Sequence, residues 1–263
     1  MPAIPLVKTV LLDTELPTDG HKPLRFWCDD GRFYFCKPLG RHRPEALFYE
    51  LVCAALLEAL ELRVPPSAFV QIQTGSFEKK HFLKNKTEIS IGFQEIAPAE
   101  TVSQHISYIK NLNGNFRRPH SLLKIALFDL WVNNTNRTQS NYNLLVEETE
   151  FGKDWVAINH ESCFGGTNGF LDLETPVSPT NKLISSAYFT QYKRQLRKAE
   201  ACNVIEHFFS FDTKLIENEV NAIFEALPES WQIAADLPKN ILDLLLCQER
   251  NESIKTLMLQ TLS

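Results

Sequence analysis

Asp129-Leu-Trp-Val-Asn-Asn-Thr-Asn136-Arg137-Thr-Gln-Ser-Asn141-Tyr-Asn143-Leu-Leu-Val146 runs from an apolar segment through a polar loop into a short strand pattern. One polar turn later, Trp155-Val-Ala-Ile-Asn159-His160-Glu161-Ser-Cys-Phe164 repeats the passage from apolar strand to polar loop. Five asparagines fall within the eleven residues from 133 to 143. Amides in that number beside apolar strands are costly to bury unless they bind a ligand or brace the loop. On composition alone the stretch also reads as a turn-rich hairpin.

Outward from this stretch, the chain divides by character. Leu24-Arg-Phe-Trp-Cys28 and Arg32-Phe-Tyr-Phe-Cys-Lys37 flank Asp29-Asp-Gly31 and read as a hairpin. Pro44 takes the favoured first-turn position of a helix that runs to about Leu62, where Val64-Pro-Pro66 stops it. That helix is apolar almost all round, which predicts burial. Ala68–Gln73 and Ile89–Ile96 read as strands, with a turn and a short strand between Phe77 and Asn85. Residues 101–111 and 120–132 read as helices, separated by the loop-like Asn113–Pro119. A Gly/Pro-rich loop from Gly165 to Pro179 precedes a mostly helical remainder, 181–263, interrupted at Pro228 and Pro238. The expected class is therefore α+β in two lobes: a strand-rich lobe over 1–97 with one buried helix, and a mostly helical lobe over 98–263. A junction near residues 95–100 is a natural place for a ligand cleft.

Bulk properties narrow the function. The 263 residues are 44% hydrophobic and 22% charged, enough apolar material for a real core. A net charge of −5 and a pI near 5.8 give no electrostatic reason to expect nucleic-acid binding. Arg41-His42-Arg43 and Lys193-Arg194 with Arg197-Lys198 are short basic runs that read as solvated faces. Six cysteines form no Cys-x-x-Cys pair, and Cys36 and Cys53 sit in apolar runs, which fits a reducing, cytoplasmic setting. No run of roughly 18 apolar residues is present, and the first residues do not resemble a secretion signal, so no membrane partner is expected.

Two further places carry chemistry. Lys37 ends an aromatic strand, and Glu50 lies on the following helix among Ala46, Ala54 and Leu57. A carboxylate in that apolar arc needs a cationic partner, and Lys37 is one. Such a strand lysine and helix glutamate can hold phosphates; a surface lysine and an unrelated glutamate fit the spacing too. Glu45 is a second candidate, at the solvated start of the helix. Thr18-Asp-Gly20-His21-Lys22-Pro23 is a glycine-containing turn whose N–H groups could face phosphates, or a plain turn.

Taken together, these segments resemble the HipA-like kinases, which share features with protein and phosphoinositide kinases. That family carries a loop of the form Trp-x-x-Asn-x-Asp-Arg-x-x-x-Asn-x-Asn-Leu-Leu, then a strand ending Ile-Asp-His. Here the matching positions are Trp131, Asn134, Asn136, Arg137, Asn141, Asn143, Leu144 and Leu145, then Ile158, Asn159 and His160. Lys37-Pro38, Arg43-Pro-Glu-Ala-Leu-Phe48 with Glu50-Leu51, Val64-Pro-Pro66 and Leu227-Pro-Glu-Ser-Trp231 extend the likeness over nearly the whole chain.

The resemblance implies a protein-kinase-like fold that takes ATP and Mg²⁺ and phosphorylates serine or threonine on a protein. It implies that Lys37 holds phosphates and pairs with Glu50, and that the Gly20-His21-Lys22 turn covers the phosphates. Backbone atoms of Glu95, Ile96 and Ala97 would meet adenine. Asn136 and Arg137 would stand in the catalytic loop, and Asn141 and Asn159 at the metal. Some members are toxins that act on translation proteins and have a DNA-binding antitoxin. This sequence carries no separate sign of such a partner, nor room for the extra N-terminal subdomain of the longer toxins.

Two departures bear on activity. Asn136 stands where the family has its catalytic aspartate, and Asn159 where it has its metal aspartate. An amide cannot accept the substrate's hydroxyl proton, and it brings no charge to a cation. Three explanations fit: a natural pseudokinase, a kinase inactivated by two Asp→Asn changes, or a different register in which Asp129 or Glu161 supplies the acid. The alternative from another class is a protein-interaction module that binds no nucleotide.

Overall fold

The computed structural model describes residues 4–16, 22–77, 81, 83, 85–102, 116–118, 120–138, 141–166, 176–180 and 182–263. The N-terminal part is a closed five-stranded barrel. Its strands are β1 (Leu6–Glu15), β2 (Leu24–Cys28), β3 (Phe33–Lys37), β4 (Ser67–Ile72) and β5 (Glu88–Gln94), in the order β1-β2-β3-β5-β4. The β2–β3 hairpin forms as expected, with Gly31 at φ +75° in its turn, a conformation glycine adopts without a Cβ clash. The parallel pairing of β1 with β4, Leu6 opposite Phe69, closes the barrel. Strands β4 and β5 approach so closely that a Cβ on Gly92 would fall 2.6 Å from Val70 Cγ2. Val7, Leu24, Phe26, Tyr34, Val70 and Ile72 fill the interior.

Two differences from the sequence reading have physical causes. Strand β1 precedes the Thr18–Pro23 segment, whereas the first strand read from the sequence begins at Leu24. Its outer face carries exposed Leu6, Val10 and Leu11, which blurs the alternation that marks a strand. Helix α1 (Pro44–Ala59) stops short of Leu62, because Glu61 turns left-handed at φ +60°. Most of the turn and short strand expected between Phe77 and Asn85 falls outside the described residues; before it, a short 3₁₀ turn at Thr74–Ser76 follows β4.

Helix α1 begins on Pro44 and is buried continuously from Leu47 to Leu57. Its apolar circumference packs into the larger, helical core, with Phe48 edge-on to Phe224 at 6.0 Å. That core centres on α2 (Ser121–Trp131), in which every residue but Lys124 is buried. A three-stranded sheet, β6 (Ala99–Thr101), β7 (Leu144–Thr149) and β8 (Gly152–Ala157), lies beside α2. The helix expected over 101–111 falls mostly outside the described residues; its first position, Thr101, belongs to β6. Helices α3 (Ala187–Lys193), α4 (Lys198–Phe208), α5 (Thr213–Glu225), α6 (Leu237–Leu245) and α7 (Gln248–Leu262) complete the C-terminal part. Trp131 Nε1 donates to Leu245 O at 2.9 Å, and Trp231 Nε1 donates across to Ile89 O of β5 at 3.0 Å.

All six cysteines are free. Among the described residues, no helix is long and apolar enough to cross a membrane.

Candidate active site

Lys37 leaves the end of β3, and Glu50 points toward it from the buried face of α1. The ammonium donates to Glu50 Oε1, to Asn159 Oδ1 at 2.9 Å and to Glu161 Oε2 at 3.3 Å. Glu50 is 1% exposed, so its charge depends on that lysine. Burial works against the Lys37 charge, but Glu50 and Glu161 outweigh it and hold the pKa above the usual lysine value. The expected pair therefore forms, and it joins the barrel to the loop after β8. Glu45, the second candidate, meets Arg43 at 3.5 Å instead.

Glu161 comes from the two residues beyond Asn159, whose φ of +63° turns the chain back toward the lysine. Its Oε2 also lies 3.2 Å from His42 Nδ1. His42 is buried, which corrects the reading of Arg41-His42-Arg43 as a solvated face. Arg41 is engaged as well, with Glu15 at 2.9 Å and Lys22 O at 2.8 Å. In the other basic run, Arg194, Arg197 and Lys198 are exposed as expected.

The asparagine-rich loop is braced from within. Arg137 is fully buried and paired with Asp129 at 2.8 Å. Its guanidinium also donates to Tyr142 O at 2.9 Å, to Asn143 O and to Ile158 O at 3.3 Å, and meets His160 Nε2 at 2.9 Å. One buried cation thus clamps the loop after α2 to the starts of two others. Burial, then Arg137 and Lys37, push the His160 pKa well below its ordinary value, so the ring is neutral and accepts from Arg137. Asn134 Nδ2 donates to Asp129 Oδ1 at 3.0 Å, and Asn134 Oδ1 accepts from the Asn136 N–H at 3.0 Å. Asn136 O receives Asn143 Nδ2 at 2.9 Å and Asn141 Nδ2 at 3.4 Å. Asn133 and Asn143 sit at φ +50° and +44°, where asparagine is tolerated better than most residues. Lys182, also buried, holds the loop from below through Asn133 Oδ1 at 3.0 Å and Asn134 O at 2.6 Å.

This geometry sorts the expected residues. Lys37, Glu50 and Asn159 converge, and Asn136 and Asn141 share one loop. Arg137 has no exposed surface, so its part is to hold that loop rather than to touch a substrate. Asp129 is spoken for by Arg137 and Asn134, which removes it as a replacement acid. Glu95 engages its amide with Phe33 O at 2.8 Å and its carboxylate with Arg25 at 2.7 Å; Ile96 and Ala97 follow at the exit from the barrel. Exposed Lys22 lies beside Arg41, while Gly20 and His21 fall outside the described residues. Composition had no signal for Lys182 or His42, whose partners lie 48 and 119 positions away.

The donor set is a poor resident metal centre. Among the described residues no group of three or more His, Cys, Asp or Glu could hold an ion. Asn141 and Asn159 offer neutral oxygens, and that of Asn159 already accepts from Lys37.

A strand barrel, a lysine–glutamate pair at its edge and two polar loops from a helical lobe define a kinase-like fold. Comparison agrees. The chain is similar to the Helicobacter pylori proinflammatory kinase CtkA, with a TM-score of 0.57 and 13% identity over 98% of both chains. It is similar to the Golgi casein kinase solved with Mn and ADP, with a TM-score of 0.54 and 11% identity over 99% of this chain and 74% of that one. Hydra Fam20 with sugar gives a TM-score of 0.50 and 12% identity over 96% and 85% of the two chains. No curated protein matches the sequence. The HipA-like kinase family model matches residues 20–251, and the chain belongs to that family.

Proposed function

We propose that this chain binds ATP between the barrel and the helical lobe and transfers its phosphoryl group poorly or not at all. The observation that carries the reading is the Lys37–Glu50 pair, set beside Asn159 at the mouth of an internally braced loop. In this reading Lys37 meets the α- and β-phosphates, and the backbone of Glu95, Ile96 and Ala97 borders adenine. The segment containing Gly20, His21 and Lys22 would cover the phosphates. A structural neighbour solved with Mn and ADP supports a nucleotide as the ligand class.

Impairment follows from the amides. General-base assistance is worth about 10²–10⁴-fold, or roughly 3–5 kcal/mol of barrier, and Asn136 cannot supply it. Any divalent cation would arrive with the nucleotide and be held chiefly by its phosphates, because Asn141 and Asn159 bring no charge. With acids restored at both positions, the expected reaction is transfer to a protein serine or threonine. The free thiols fit a cytoplasmic setting for that role.

The test is a melting curve with ATP and Mg²⁺. At about ten times Kd, binding adds about 1.4 kcal/mol, a rise of roughly 3–6 °C for a chain of this size. Lys37→Ala removes the rise. No rise in the unaltered chain at millimolar ATP would leave the interaction-module reading in its place.

A further inference from the structure

The ammonium of Lys37 has three N–H donors, and three acceptors surround it: Glu50, Asn159 and Glu161. With all three N–H groups engaged, a phosphate approaching this lysine competes with these acceptors. Glu50 is 1% exposed on the core face of α1, and removing its cation would strand a buried charge. Asn159 is held by the left-handed turn of its own backbone. Glu161 differs from both. Its side chain is 17% exposed, and it has a second partner ready in His42, 3.2 Å away on the loop before α1. It is also an anion, so it both occupies the lysine and repels whatever anion approaches. Lys37, Glu50 and Glu161 as charged side chains together carry a net charge of −1.

We infer that Glu161 is an affinity-determining residue, an internal anion that competes with nucleotide phosphates for Lys37 and withdraws toward His42 when they bind. This rests on the nucleotide-binding reading above. It gives Glu161 a part that neither the catalytic loop nor the metal position assigns to it. The acid two residues past Asn159 does not restore the charge lost there as a cation ligand; it holds the lysine until a phosphate replaces it. The contact should therefore weaken binding of ligands in proportion to their phosphate charge, and leave the nucleoside alone unaffected.

Calorimetric titration of the full chain with ATP and with adenosine, each with Mg²⁺ and with EDTA, tests this. Glu161→Gln keeps the shape and removes the charge. The expected result is an ATP Kd about ten-fold tighter, the size of one screened charge contact, with adenosine binding unchanged. Lys37→Ala abolishes ATP binding, and adding Glu161→Gln does not restore it, because the competition then has no object; restored binding would overturn the inference. Glu161→Ala gives the same direction and serves if the glutamine variant melts early. Binding of ATP that is equal or weaker in both variants overturns the inference while leaving nucleotide binding intact. A loss confined to the Mg²⁺ titration also overturns it, by making Glu161 a cation ligand. Absence of ATP binding in the unaltered chain and in every variant overturns the nucleotide reading and this inference with it.

Discussion

Asn133, Asn134 and Asn143 show what amides in this loop do. Sequence alone left two readings, ligand binding or internal bracing, and for three of them the bracing is now explicit. Asn134 links Asp129 to the Asn136 amide, Asn143 holds Asn136 O, and Asn133 accepts from Lys182. The identity of these residues was legible because amides beside apolar strands must find partners. The partners were not, because Arg137 gathers groups from positions 129, 142, 143, 158 and 160, which no local pattern brings together. The buried Asp129–Arg137 pair is the keystone. Burial raises the Asp129 pKa, and Arg137 opposes that rise. Asp129→Asn leaves a buried guanidinium without its counter-charge, and should cost about 3–5 kcal/mol of unfolding free energy in urea titrations. A loss below about 1 kcal/mol would show that the loop is braced by other means.

At the scale of elements, the hairpin, the buried helix and the two strands after the asparagine loop followed directly from apolar pattern and turn residues. Strand β1 did not, because its outer face is apolar enough to hide the alternation. Strand β6 did not either, since Ala99–Thr101 is too short to show a period. Tertiary ties between elements were equally silent. Arg63, in the link after α1, forks onto Glu147 of β7 at 2.8 and 3.0 Å. Those hydrogen bonds hold the Glu147 carboxyl below its ordinary range, against its burial. A depressed carboxylate adds stability in full above its unfolded pKa of about 4.3, and loses it as pH falls through the lower folded value. Glu147→Gln should therefore cost about 1 kcal/mol at pH 7, after allowance for screening of a partly exposed pair. The difference from the parent should close as pH falls below about 4, measured by denaturant titration across that range. A difference that persists at pH 3 would assign the loss to packing rather than to charge.

The whole molecule is a kinase-like frame, and two of the ties between its parts stand out. Trp231 reaches from the helical lobe to β5, and Lys37 reaches from the barrel to Asn159 and Glu161. The second crossing is also the candidate site, so in the proposed reading a nucleotide engages residues that help tie the lobes together. The proposed impairment is chemical rather than architectural: amides stand at 136 and 159, in two loops that Arg137 ties together. The most direct measurement is phosphoryl transfer from labelled ATP by the chain and by the double variant Asn136→Asp with Asn159→Asp, under the same conditions. The account predicts transfer by the double variant at least about 100-fold faster than by the chain as it stands. Equal, readily measured transfer by both would contradict it, because the two amides would then not be what limits the reaction.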